Sequence, residues 1–267
     1  MPRSKPVGVV TRGTTNPNRL RRVDRWIAGP QGVRLRRSPT PPVVVDLGYG
    51  ASPVTAVELH DRLRRVRPDV EVVGIEIDPA RVAAARPLER PGLTFALGGF
   101  EIPLESGARP TLVRAFNVLR QYDEPQVAAA WARVCARLAP GGLLVEGTCD
   151  ELGRRSTWVA LDENGPLSLT LSVRLADLGR PSEVAERLPK ALIHRNVPGE
   201  RVHDLLSALD RAWDVGAPMA SYGVRQRWGA AVGSLRDQGW PLLDGPGRWR
   251  LGEVTVAWGA VAPSSRT

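Results

Sequence analysis

Asp46, Gly48 and Gly50 stand together in VVVDLGYGASP (residues 43–53), where an apolar, β-branched run ends on an acid and then turns on two glycines. A carboxylate beside bare backbone suits a cationic or hydroxyl-rich ligand, because glycine lets a ligand approach the main chain closely. In VVGIEID a second acid, Glu76, followed by Ile77, ends another apolar run. RAFNVLRQYDEP then offers Asn117, an amide able to orient a nucleophile, with Arg120 and Tyr122 just beyond. Tyr122 and Glu146 are the candidate bases, needed only where an acceptor is poorly nucleophilic. Cys135, Cys149 and the three histidines, His60, His194 and His203, lack metal-ligand spacing, so no metal site is expected.

Two cofactor classes use a glycine turn after the first strand of an α/β sheet. Dinucleotides require G-x-G-x-x-G so that the pyrophosphate rests on a helix N-terminus. Here Pro53 occupies the position of the last glycine, and Asp46 would repel a pyrophosphate. S-adenosyl-L-methionine, with a sulfonium, an ammonium and no phosphate, meets neither objection. VDLGYGAS, VVGIEIDPARV and RLAPGGLLVEG resemble, in order, three motifs of the class I S-adenosylmethionine-dependent methyltransferases, and the resemblance covers about residues 43–150.

The resemblance implies a cofactor loop of Asp46, Gly48, Tyr49 and Gly50. It makes Glu76 the acceptor for both ribose hydroxyls, with Ile77 beside it. Gly99 and Phe100 of LGGFEIP would flank the adenine, with Glu101 accepting from its amino group, and Asn117 would lie near the transferable methyl. Three departures stand out. Ser52 replaces the usual third glycine, Gly99 stands in the place of an acid, and Val118, Leu119 and Arg120 replace the Pro-Pro-Tyr that follows the asparagine in some amino-group methyltransferases.

The elements that would position these residues are an alternation of strands and helices. Apolar strands begin at residues 43, 71, 93, 111 and 142; helices lie over 54–65, from Pro79, and over 124–138. The expected fold class is α/β: a doubly wound, mainly parallel Rossmann-like sheet, whose ligands gather at the carboxyl ends of the strands. Past residue 150 the pattern predicts a hairpin turning at 162–166, three helical pieces near Pro181–Leu188, Glu200–Trp213 and Tyr222–Gln238, and a last strand over 248–258. The domains read as a basic arm and helix (1–42), a cofactor-binding core (43–180) and a C-terminal helical cap with a final strand (181–267).

Charge separates the arm from the rest. Residues 1–40 carry the whole net charge of +9, and the remainder balances. Asn16 and Pro17 predict the start of a helix whose stripe is Leu20, Val23 and Ile27. Its arginines make RNA a possible partner, and Arg12, Thr14, Asn18, Arg19 and Arg22 are candidates to hold a cofactor carboxylate or an anionic substrate, joined by Arg120. The tryptophan-rich C-terminal part favours a small-molecule acceptor. Neither a signal peptide nor a membrane span is legible, so a cytoplasmic protein is expected, with its oligomeric state open. The competing readings are a non-catalytic S-adenosylmethionine- or RNA-binding regulatory protein and, third, an oxidoreductase.

Overall fold

The computed structural model describes residues 6–11 and 15–264. Five parallel strands alternate with helices: β1 (Val43–Leu47), β2 (Glu71–Glu76), β3 (Leu93–Leu97), β4 (Leu112–Phe116) and β5 (Leu143–Cys149). Preceding β1 are α1 (Arg21–Ala28) and α2 (Gly32–Arg36); the crossovers contain α3 (Val54–Leu63), α4 (Pro79–Ala85) and α5 (Glu124–Cys135). The chain then makes β6 (Arg155–Asp162) and β7 (Gly165–Val173), runs through α6 (Lys190–Ile193), α7 (Arg201–Val215), α8 (Val224–Asp237) and α9 (Pro246–Trp249), and returns as β8 (Glu253–Ala257). One eight-stranded sheet results, in the order β3-β2-β1-β4-β5-β6-β7-β8, with β6 to β8 antiparallel.

The apolar strands dictate this arrangement. Val44, Val72, Leu93 and Leu112 face α1, α3 and α4, while Val45, Val113, Leu144 and Val159 face α5, α7 and α8. Because strand order reverses between β1 and β4, a crevice opens there at the carboxyl ends.

Several boundaries differ from the sequence pattern. The arm helix begins at Arg21, since Asn16 donates its amide to the carbonyl of Glu151 instead of capping. Residues 32–36 add a second short helix, α2, to the arm, where the sequence pattern predicts one helix. Arg248 and Trp249, expected in the last strand, close α9, because Pro246 at the first helical position favours a helical turn. The last strand joins the central sheet through β7. Among the described residues, no helix is long and apolar enough to cross a membrane.

Candidate functional site

At the end of β1 the chain turns at Gly48 (φ +70°) and Gly50 (φ +84°), left-handed conformations that glycine adopts without strain. The Gly50 amide donates to Glu76 Oε2 at 2.9 Å, and the Ile77 amide to Glu76 Oε1 at 2.9 Å. The buried Glu76 carboxylate therefore ties the first glycine loop to the end of β2; Oε1 also accepts the Asp78 amide at 3.3 Å, and Arg81 Nη1 stands 3.7 Å from Oε2.

Across this loop runs the segment Val7–Thr11. The Phe100 amide donates to the Val7 carbonyl (2.9 Å), the Val9 amide to Tyr122 Oη (2.6 Å) and Gln121 Nε2 to the Val9 carbonyl (3.0 Å). Arg81 reaches from α4 to the Thr11 carbonyl at 3.0 Å. Glycine is required at position 99 because a Cβ there would lie 2.0 Å from the Val7 carbonyl oxygen.

Beneath this strap lie two adjoining voids with Thr11 and Gly48 common to their walls. One is walled by Glu76, Ile77, Gly99, Phe100, Val118 and Tyr122. The other is walled by Thr15, Arg19, Asp46, Tyr49, Gly50 and Asn117. The first is mainly apolar with one carboxylate, which suits an adenosine; the second is polar with a guanidinium, which suits an amino-acid tail.

Asn117 ends β4 at φ +60°, a conformation asparagine tolerates better than most side chains. Its Oδ1 accepts the Cys149 amide at 3.1 Å and its Nδ2 donates to Cys149 Sγ at 3.4 Å. The end of β5 thus fixes the amide that borders the polar void. Arg19 spans the same rim, donating Nε to the Asp150 carbonyl (2.9 Å) and Nη2 to the Cys149 carbonyl (3.3 Å).

Four sequence expectations change. Asp46 is paired by both oxygens with Arg114 of β4 (2.9 and 2.6 Å), a guanidinium it shares with Asp24, so it is anchored within the protein rather than standing free beside the turn. Tyr122 accepts from the strap and packs on Phe100 with ring centroids 5.5 Å apart, so it is a wall and latch on the apolar void instead of a base beside Asn117. Glu101 accepts the Val7 and Gly99 amides, both at 2.9 Å, and both its oxygens are engaged. Arg22 points toward the antiparallel strands, donating to Ser172 Oγ (3.2 Å) and the Leu251 carbonyl (3.1 Å); burial lowers its pKa to about 10.

Glu146 faces α5 in the core, away from the crevice, and burial raises its pKa to about 8. The indole N–H of Trp131 moderates that shift without making a hydrogen bond. Arg12 and Thr14 lie outside the described residues. Thr11 and Thr15 border the voids without any sequence signal, while Val118, Cys149 and Arg81, met in the sequence only as a motif departure, a metal candidate and part of the second motif, wall the apolar void, fix Asn117 and hold the strap.

No family model matches the sequence, and no curated protein does. Among solved structures the chain is similar to the citrinin polyketide synthase CMeT domain (19% identity over 45% of this chain and 33% of that one, TM-score 0.36). It is similar to magnesium protoporphyrin IX methyltransferase from Synechocystis PCC 6803 (15%, 49% and 54%, TM-score 0.38) and to a chain titled a pericyclic reaction enzyme (18%, 45% and 31%, TM-score 0.36). The chain thus spans between 31% and 54% of the length of these proteins. Every TM-score is below 0.5, so the likenesses carry no weight for the activity.

Proposed function

We propose that the chain is a class I S-adenosylmethionine-dependent methyltransferase acting on a small molecule. The observation that carries this reading is the pair of voids meeting at Gly48, an apolar one containing Glu76 and a polar one containing Arg19 and Asn117. That division matches a nucleoside joined to a short zwitterionic tail. It leaves no run of free amides for a pyrophosphate, because the Gly50 amide already donates to Glu76.

In this reading the ribose hydroxyls donate to Glu76, the adenine packs between Ile77, Val118 and Phe100, and the tail carboxylate meets Arg19. Bound there, S-adenosylmethionine supplies an electrophilic methyl carbon for in-line displacement. The protein's part is alignment and exclusion of water: Asn117, fixed by Cys149, orients the acceptor, and the strap from Val7 to Thr11 covers the cleft. The reading needs no metal or catalytic triad, and among the described residues no group of histidine, cysteine or acidic side chains is arranged to hold a metal ion.

The test is transfer of label from S-adenosyl-[methyl-³H]methionine into a metabolite extract. Appearance of tritium in the small-molecule fraction together with S-adenosylhomocysteine supports the enzyme. Tight binding of the methyl donor with no turnover across extracts would instead favour the non-catalytic binding protein.

A further inference from the structure

Three segments bring arginines to the end of β5: Arg19 from the N-terminal region, Arg120 from the loop after β4 and Arg187 from the stretch before α6. Arg120 donates Nη1 to the Glu186 carbonyl at 3.3 Å, a neutral partner. Arg187 has its Nε buried without a hydrogen bond, and its nearest carboxylate, Glu186 at 3.6 Å, already accepts from Arg155 at 3.0 Å. Burial, and next the neighbouring Arg187 and then Arg19, push the Arg120 pKa down against the opposing pull of Glu186. Arg120 and Arg187 therefore adjoin one another with Glu186 as the carboxylate that offsets them, and Glu186 is already engaged by Arg155, an arrangement that costs stability unless a ligand completes it.

Beside this point lies a third cavity, about 350 Å³, at the β5–β6 turn. Asp150 separates it from the polar void: its carbonyl accepts from Arg19, and its carboxylate accepts the amides of Leu152, Arg154 and Arg155. On the far side of the cavity charge is better matched, since Asp177 pairs with Arg174 (2.9 Å) and Arg154 (3.4 Å), and Arg155 pairs with Glu183 and Glu186. Glu151 is exposed on the rim. Arg187 lines the cavity beside Glu186, whose carbonyl accepts from Arg120.

We propose that this cavity receives the methyl acceptor and that the acceptor is an anionic small molecule, its carboxylate or phosphate held by Arg187 on the cavity wall and by Arg120, which adjoins that wall through the Glu186 carbonyl. The proposal rests on the methyl-donor reading of the neighbouring cleft. A guanidinium pair presents the planar donors that both anions accept, and anchoring the anion there would direct the rest of the molecule toward Asn117.

The test uses the full chain saturated with S-adenosylhomocysteine and titrated calorimetrically with benzoate and, separately, inorganic phosphate, with sodium chloride matching ionic strength. Wild type should bind one of the two, and which one identifies the anion. Loss of two charge-assisted contacts in Arg120→Ala/Arg187→Ala should weaken that binding by about tenfold or more. Glu186→Gln should strengthen it about threefold by removing the competing carboxylate, a gain that misfolding cannot produce. Arg236→Ala, an exposed arginine on α8, should match wild type. Failure of both anions to bind beyond the chloride control, or equal binding by the double variant and Glu186→Gln, would overturn the anionic acceptor. Failure of S-adenosylhomocysteine itself to bind would overturn the donor reading instead.

Discussion

Glu146 is a buried carboxyl on β5 whose two oxygens have no hydrogen-bond partner, and its pKa of about 8 follows from burial. A carboxyl whose folded pKa is raised above its ordinary value of 4.5 contributes most stability below 4.5, where it is protonated in both states. That contribution is lost as pH rises through about 8, so the chain should lose ~3–5 kcal/mol over this interval. Glu146→Gln should flatten the loss and unfold at a higher temperature than wild type at pH 9; parallel Tm–pH curves for the two proteins would contradict this. Residue identity alone makes Glu146 a candidate base, because a strand residue's facing depends on register. The same limit applies to Asp46 and Tyr122: their positions beside the crevice follow from the sequence, whereas their partners, Arg114 and the Val9 amide, belong to remote segments. Glu76 and Asn117 were legible because each ends a buried strand.

At the scale of elements, α1 is attached to the sheet by a buried ion network. Asp24 bridges Arg114 of β4 and Arg62 of α3, and Trp26 packs edge-on against Trp158 at 5.7 Å. Burial opposes the Arg114 charge, but Asp24 and Asp46 more than restore it and hold its pKa above the ordinary value. Arg114→Leu leaves buried Asp46 without its cation and Asp24 with Arg62 alone, and should cost about 3–5 kcal/mol in urea unfolding, against about 1 kcal/mol for an exposed arginine. Helical periodicity predicts an amphipathic arm but carries no sign of Asp24 pairing through the sheet. The strap is equally invisible in local pattern, and Gly99 is its clearest trace. Gly99→Ala should displace Val7, remove the Phe100–Val7 hydrogen bond and weaken S-adenosylhomocysteine about tenfold. Hydrogen exchange at the Phe100 amide should rise in the same variant, and unchanged affinity and exchange would sink the covering role.

At the scale of the whole molecule, the alternation of apolar runs made the parallel half of the sheet legible, since strands covered on both faces carry continuous hydrophobic sequence. The order and the return of β8 were not, because the pairing of β7 with β8 joins segments more than eighty residues apart in the chain. Charge is a whole-chain property too. Several arm arginines donate inward: Arg19 and Arg21 to the β5–β6 turn, Arg22 to β7, and Arg34 to the Gly141 carbonyl. Bulk tRNA should therefore be retained weakly, with retention gone by about 0.2 M salt, and salt-resistant binding in a gel shift would restore RNA as a partner. The central claim is that Glu76 and the Gly48–Gly50 loop hold the adenosyl part of a methyl donor. It is tested most directly by calorimetric titration with S-adenosylhomocysteine, with NADH as the control, in wild type and Glu76→Ala. The account predicts micromolar binding of S-adenosylhomocysteine alone, weakened roughly 10- to 100-fold by loss of the diol acceptor. Preference for NADH, or equal S-adenosylhomocysteine affinity in the variant, would contradict it.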